Sequence, residues 1–193
     1  MTTTSPPTTT KPRRHWPQFS LRTLMVLVVL VSAALGWLGM KVRQARIRRE
    51  AVSKLQEVGG TVYYDYDRDI DPRPSGLKWA WDLLGHDFFL DVDSVNLQDC
   101  PVTDVGLVRL QPLTHLRWLS LTNTHVTDAG LEHLKGLRQL KRLELGSTGI
   151  TDAGLEHLRV LSQLYELHLN GTQITDEGVA ELQKALPNLT VYR

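Results

Sequence analysis

The sequence predicts an α/β solenoid, in which stacked repeats place a parallel sheet inside and helices outside, preceded by one transmembrane helix. Two observations lead to this prediction. The dipeptide Thr-Asp recurs every 24 residues, at positions 103–104, 127–128, 151–152 and 175–176. An uncharged, mostly apolar run of 18 residues extends from Thr23 to Met40. A fixed period indicates a repeat array, and a run of that length approaches what a membrane-spanning helix needs.

Charge is divided unevenly along the 193 residues, although the net charge is only +1. Residues 1–58 carry ten Lys/Arg and two Glu, whereas residues 59–193 carry twelve Lys/Arg and nineteen Asp/Glu. The larger part would repel phosphate, so we expect no nucleic-acid partner. The single cysteine, Cys100, excludes an intrachain disulfide framework and an all-cysteine metal site.

The first 40 residues predict a tail and an anchor. Residues 1–20 are rich in Thr and Pro and are predicted to be disordered, because they cannot bury enough apolar surface. Residues 21–40 are predicted to form the transmembrane helix, since eighteen uncharged residues span about 27 Å. A cleaved signal peptide is the main alternative, because Ser32-Ala33-Ala34 resembles a cleavage site. The apolar run continues beyond that site to Met40, which favours a retained anchor.

Basic residues flank the anchor on both sides. Four Lys/Arg precede it and five lie in the nine residues after Met40, so the side of the C-terminal domain stays open, with a slight lean to the cytoplasm. Ser32 and Gly36 have a spacing that lets two helices approach closely, which makes a homodimer through this helix an open alternative. Residues 41–58 are predicted to form a basic juxtamembrane helix, which ends at Gly59-Gly60.

Residues 59–91 are predicted to form an N-terminal cap of the repeats. Thr61–Asp67 alternates as a strand does. Four alternating aspartates, Asp65, Asp67, Asp69 and Asp71, suggest calcium, but an EF-hand loop would need glycine and glutamate where Ile70 and Gly76 stand. We therefore prefer a charged edge strand that discourages pairing between sheets. A short helix follows, and nearby aromatic residues are expected to cover the end of the core: Trp79, Trp81, Phe88 and Phe89.

Residues 92–193 contain the repeats of period 24. Each of three copies reads L-x-x-L-x-L-x-x-T, starting at Leu116, Leu140 and Leu164, and a degenerate copy starts at Val92. The alternating leucines predict a strand with one buried face. A helix follows in each copy, and either the threonine or the aspartate of the pair, such as Thr127 or Asp128, is expected to accept hydrogen bonds from its first N–H groups.

These positions resemble the leucine-rich repeat family, whose consensus is L-x-x-L-x-L-x-x-N/C-x-L. The phrase I-T-D-A-G-L-E-H-L at 150–158 is similar to the ribonuclease-inhibitor-like subgroup. With the apolar anchor, the chain also resembles small bacterial membrane-anchored leucine-rich repeat proteins. The resemblance implies a short leucine-rich-repeat solenoid and no particular reaction, because the family shares a shape. The ninth repeat position departs from the frequent Asn and holds Cys100, Thr124, Thr148 and Thr172.

No catalytic motif is present in the sequence. A Walker loop, a nucleophile elbow, an H-E-x-x-H zinc motif and a dinucleotide fingerprint are all absent, so we expect no enzyme and no cofactor. His133 and His157 are equivalent residues of neighbouring repeats, but two ligands make a poor metal site. We therefore predict no metal, and Cys100 is expected to be a small buried residue and not a nucleophile.

The inner face of the sheet is the candidate functional surface. Residues that alternate with the buried leucines are expected to lie in columns, one strand apart. The predicted protein-binding face comprises Trp118, Arg142, Glu166, Ser120, Glu144 and His168. One hypothesis is a membrane-tethered module that binds a protein or peptide there, and the other is a scaffolding membrane protein whose repeats self-associate. A third interpretation gives Trp118 only a structural role, stacked on Arg142.

Overall fold

The computed structural model describes residues 21–65 and 90–193. Two of the expectations above therefore lie outside the described residues. One is the disordered tail, residues 1–20. The other is the part of the cap within residues 66–89, which includes three of the four alternating aspartates, the short helix and its aromatic neighbours.

The chain divides into two units, Met1–Gly39 and Met40–Arg193. Helix α1, Leu21–Glu57, begins in the first unit and ends in the second. All residues from Leu24 to Met40 are exposed. The helix is long and apolar enough to cross a membrane, and a signal sequence near the N-terminus meets the same criteria.

Among the described residues of the second unit, six strands form a sheet whose order follows the chain. Its strands are β1 Thr61–Tyr64, β2 Val92–Asn96, β3 Trp118–Ser120, β4 Arg142–Glu144, β5 Glu166–His168 and β6 Thr190–Tyr192. Strands β2 to β6 are parallel, which confirms the predicted repeat architecture. Strand β1 is antiparallel to β2 and forms the first edge.

A short helix follows each of strands β2 to β5. The helices are α2 Asp104–Leu107, α3 Asp128–Leu131, α4 Asp152–Leu155 and α5 Asp176–Ala185. The first three have one α-helical turn and continue as 3₁₀ turns, Val108–Leu110, Glu132–Gly136 and Glu156–Leu158. Leu131, Leu134 and Leu137 are fully buried, as their spacing predicts. The tight turns match the 24-residue period, which leaves few residues for an outer helix.

The core continues from the repeats into the second half of α1. Ala51, Val52 and Leu55 are buried, and Leu55 packs into the same cluster as the repeat leucines. Gly59 has φ +93°, and the Gly60 N–H donates to the Leu55 carbonyl at 3.0 Å, so α1 ends in a left-handed cap. Residues 40–57 therefore help to cover the first end of the repeat core.

The threonines at the ninth repeat position support the turns after the strands. Their hydroxyls donate to the carbonyl of the leucine three residues earlier, at 2.7 Å for Thr124, 2.6 Å for Thr148 and 2.7 Å for Thr172. The residue before each threonine is left-handed: Asn123 has φ 56°, Ser147 has φ 54° and Gly171 has φ 73°. A threonine hydroxyl thus satisfies turn backbone where the family often has asparagine.

Candidate protein-binding face

Strands β3, β4 and β5 bring the six predicted residues into two adjacent columns. The register pairs Trp118 with Arg142 and Arg142 with Glu166. In the second column it pairs Ser120 with Glu144 and Glu144 with His168. The intervening leucines are fully buried, so both columns lie on the sheet face opposite the outer helices. We call these six residues the inner patch.

Glu144 is the centre of the inner patch. The Trp118 Nε1 donates to Glu144 Oε1 at 3.2 Å, and the Arg142 Nε donates to the same oxygen at 2.9 Å. Arg142 Nη2 also lies 2.8 Å from this oxygen, and Arg142 Nη1 lies 3.3 Å from Glu166 Oε1. Arg142 thus bridges two glutamates, and the indole N–H of Trp118 is directed to a carboxylate.

The electrostatics of Glu144 follow from these contacts. Partial burial raises the pKa of Glu144, but hydrogen bonds from Ser120, Trp118 and Arg142 and the charge of Arg142 together outweigh that effect. The net result is a pKa below the ordinary value, so this carboxylate is ionised at neutral pH. Its negative charge is satisfied within the inner patch.

His168 extends the inner patch toward the last strand. Its Nε2 lies 2.7 Å from Glu166 Oε1, and its ring stacks on Tyr192 with centroids 4.6 Å apart. Tyr192 was absent from the predicted set, although it is paired with His168 in the sheet. The 24-residue step from His168 leads to Tyr192, so the period itself contained the missed signal.

Ser120 does not reach the surface of the inner patch. Its exposed fraction is 1%, whereas an exposed column had been expected. A serine is shorter than the neighbouring Trp118 and Glu144, and its hydroxyl donates to Thr122 Oγ1 at 3.5 Å. Ser120 therefore lies beneath the surface that its longer neighbours form.

The repeated Thr-Asp pairs connect neighbouring repeats. Asp104 accepts from the N–H and the hydroxyl of Thr127 at 2.8 and 2.7 Å, and Asp152 accepts the same pair from Thr175 at 2.8 and 2.7 Å. Thr175 also caps its own helix by accepting from the Gly178 N–H at 3.1 Å. Of the two residues expected to cap each helix, the threonine does so at Thr151 and Thr175. The aspartate does not, because its carboxylate reaches into the next repeat.

The last aspartate of this series, Asp176, pairs with the guanidinium of Arg193. Arg193 Nη2 also donates to the Ile174 carbonyl at 2.7 Å. An arginine fork thus takes the position that a threonine of a following repeat holds elsewhere.

The remaining candidate residues show no assembled reactive centre. Cys100 is buried, and burial, with the Asp99 charge, raises the pKa of its thiol, which opposes thiolate formation. His133 Nδ1 lies 3.4 Å from Gln111 Nε2. Within residues 21–65 and 90–193, no group of three or more His, Cys, Asp or Glu side chains is arranged to hold a metal ion.

Comparisons with known proteins identify the family that the repeats resemble. The model of the leucine-rich repeat matches residues 113–135, 137–159 and 164–182. The comparison with curated proteins gave no match.

Among solved structures, an internalin C2 from Listeria monocytogenes is 29% identical over 52% of this chain and 40% of its own, with a TM-score of 0.44. A leucine-rich repeat protein from Leptospira interrogans is 25% identical over 45% of this chain and 21% of its own, with a TM-score of 0.36. Another internalin from Listeria monocytogenes is 21% identical over 52% of this chain and 34% of its own, with a TM-score of 0.36. The present chain spans less than half the length of each.

The family match and the strand register agree on the same repeats. The matched segments contain strands β4 and β5, and the parallel pairing there follows the 24-residue step. Residues 113–135, 137–159 and 164–182 of this chain are therefore leucine-rich repeats.

Proposed function

We propose that this chain is a membrane-tethered protein-interaction module, which binds a protein or peptide on the inner patch. The main support is a continuous set of hydrogen bonds and ion pairs within the inner patch. It runs from Trp118 through Glu144, Arg142 and Glu166 to His168. Leucine-rich repeats are in general protein-interaction modules, and the inner patch is the sheet surface left uncovered by the outer helices.

The chemistry of the inner patch suits a peptide or protein surface. Its contacts hold Trp118 and Arg142 in place before binding, which lowers the entropic cost of ordering them. The Arg142 side chain keeps 41% of its surface exposed, and Tyr192, which stacks on His168 at the edge of the inner patch, keeps 47%. Trp, Tyr and Arg are the residue types that dominate interface energetics. A small apolar ligand would instead favour an enclosed apolar cavity.

The tether is proposed from helix α1. Its first part is apolar and exposed, and basic residues follow it from Lys41 onward. Such a helix is stable in hydrocarbon, whereas in water it would leave a large apolar surface exposed. Washing membranes with alkaline carbonate should leave the full chain in the pellet. Recovery of a mature form that starts near Leu35 would instead identify residues 21–34 as part of a signal peptide.

The binding test uses the full chain in detergent micelles as bait. Capture should be lost for Trp118→Ala and Arg142→Ala and retained for Val105→Ala, which changes an exposed residue of helix α2. If the captured partner is a second copy of this chain, the scaffolding alternative is correct. Self-association that depends on Gly36 and not on Trp118 would assign the homodimer to α1, through the Ser32-x-x-x-Gly36 spacing.

A further inference from the structure

We propose that the inner patch selects an extended segment in which a Lys or Arg lies between two apolar side chains. The basic side chain pairs with Glu166, and the apolar side chains pack on Trp118 and on Tyr192, the exposed tyrosine that stacks on His168. This inference rests on the proposed function, because it names the chemistry of a partner for the same surface of the sheet.

Negative charge exceeds positive charge within the inner patch. The carboxylates of Glu144 and Glu166 share one guanidinium, that of Arg142. With the imidazole of His168 counted as neutral, the six residues carry two negative charges and one positive charge. A cationic side chain of a partner is therefore complementary to this surface, whereas an anionic one is repelled.

Two further cations lie beside the inner patch, outside its two columns. Arg117 precedes β3 and pairs with Asp65 and Asp93, with 3.0 Å between Arg117 Nε and Asp93 Oδ1. Lys141 precedes β4 and is exposed, so water and salt screen its charge. Neither cation thus supplies a counter-ion within the columns.

Glu166 is the carboxylate that can accept a hydrogen bond from a ligand. Its Oε1 lies 2.7 Å from His168 Nε2 and 3.3 Å from Arg142 Nη1. No hydrogen bond from residues 21–65 or 90–193 reaches Oε2, and the side chain keeps 19% of its surface exposed. An ammonium or guanidinium group can therefore donate to Oε2 while the contacts of Oε1 remain.

Two aromatic side chains flank these charges. Trp118 is half-buried on β3, and donation to Glu144 Oε1 at 3.2 Å orients its indole. Tyr192 on β6 is 47% exposed, and its ring stacks on His168 with centroids 4.6 Å apart. Both rings are held in place before binding and offer apolar surface, which suits two apolar side chains of a ligand.

The separation of the two rings matches an extended backbone. Trp118 and Tyr192 lie three strands apart, about 14 Å across the sheet, and an offset of two residues along the strands lengthens the diagonal to about 16 Å. In an extended segment, residues i, i+2 and i+4 point to the same side and together span about 13 Å. Long side chains cover the remainder. Residue i+2 then lies over β4 and β5, next to Glu166.

The first experiment selects random heptapeptides displayed on phage, with the full chain in phosphatidylcholine nanodiscs as the target. Counter-selection on the Trp118→Ala variant removes sequences that bind elsewhere. We expect enrichment of an apolar residue, a Lys or Arg, and a second apolar residue at alternate positions. The most enriched peptide is then synthesised with its basic residue intact and with Gln in its place.

The second experiment titrates both peptides by fluorescence anisotropy and tests the contact with Glu166. Gln in the peptide should weaken binding to the unmodified chain by about 10-fold or more, as expected for a close charge pair. The same change should weaken binding to the Glu166→Gln variant by less than about 3-fold, because the pair is already lost. Glu177→Gln removes an exposed carboxylate of α5 and is the control, which should behave as the unmodified chain does.

Other outcomes overturn the inference in distinguishable ways. Enriched peptides without a central basic residue, or an equal loss of affinity in the unmodified chain and Glu166→Gln, would exclude the pair with Glu166 and leave binding at the inner patch intact. A library with no sequence that distinguishes the unmodified chain from Trp118→Ala would exclude a linear segment. The capture test with full-length partners then decides the proposed function separately.

Discussion

The carboxylate of Asp128 accepts two hydrogen bonds from Thr151 in the next repeat, one from the backbone N–H at 2.8 Å and one from the hydroxyl at 2.6 Å. This carboxylate occupies the space that a side chain at Gly154 would need. A Cβ there would lie 2.3 Å from Asp128 Oδ1. The recurring Thr-Asp-x-Gly pattern is therefore one structural device, in which the glycine makes room for the aspartate of the preceding repeat.

This relationship predicts that Gly154→Ala destabilises the array. The new methyl group must displace the Asp128 carboxylate and break its bonds to Thr151, at a cost of about 1–3 kcal/mol. Gly136→Ala is the control, because a Cβ at Gly136 meets nothing within 4 Å. Urea unfolding of both variants gives the two free energies.

The cause is tested by a double-mutant cycle. In an Asp128→Ala background, Gly154→Ala should cost less than it does alone, because the clash has been removed. Simple additivity of the two substitutions would mean that the glycine is required for a reason other than the carboxylate.

Acid should weaken the hydrogen bonds that Asp152 accepts from Thr175 of the next repeat. The backbone N–H of Thr175, then its hydroxyl, lowers the pKa of Asp152, with a further contribution from the Arg193 charge. Since the folded pKa lies below the unfolded value of about 3.9, the stabilisation is fully present above that value and is lost as the pH falls through the folded pKa. The difference in unfolding free energy between the unmodified chain and Asp152→Asn should therefore shrink below about pH 4. A constant difference from pH 6 to pH 3 would contradict this assignment.

The assignment of buried and exposed residues predicts that two alanine substitutions in the same repeat differ greatly in their effect on stability. Leu145 is fully buried, and Leu145→Ala should cost about 2–5 kcal/mol because it leaves a cavity in the core. Ser147, two residues later, is exposed, and Ser147→Ala should change stability by no more than about 0.5 kcal/mol. Equal losses in chemical denaturation would show that the assignment is wrong.

Periodicity explains how much of this structure was predictable. A 24-residue step determines which residues are neighbours across a parallel sheet, so the pairing of Trp118 with Arg142 followed from the sequence. The hydrogen-bond partners of individual side chains could not be predicted from the sequence. An aspartate at a helix N-terminus is expected to cap that helix, and only the stacking distance between repeats shows that Asp128 reaches Thr151. The burial of Ser120 depends on the heights of its neighbours, which a single repeat pattern does not contain.

The contact between α1 and the segment before β2 was the least predictable. Arg48 of α1 and Asp91 lie 43 residues apart in the chain, and no repeat period relates them. A basic juxtamembrane segment indicates only attraction to anionic lipid, because the pattern of Lys and Arg does not show which side chain folds back on the repeats. The pairing of Arg48 with Asp91 required the packed structure.

The final prediction separates a binding role of Trp118 from a structural one. Trp118 is half-buried and donates to Glu144, so Trp118→Phe removes the hydrogen bond and keeps an aromatic surface, whereas Trp118→Ala removes both. If the inner patch is the interface, Trp118→Ala should weaken partner capture by about 30-fold or more, the loss typical of an interface hot spot. Trp118→Phe should then retain most of the capture.

In that case the melting temperature of both variants should fall by no more than about 4 °C, because the core leucines beneath are untouched. If Trp118 serves only to hold Glu144 and Arg142 in place, both substitutions should lower the melting temperature similarly and leave capture intact. Binding measured by titration of the isolated partner, together with thermal unfolding of the same protein samples, distinguishes the two outcomes, since one role affects affinity and the other affects stability.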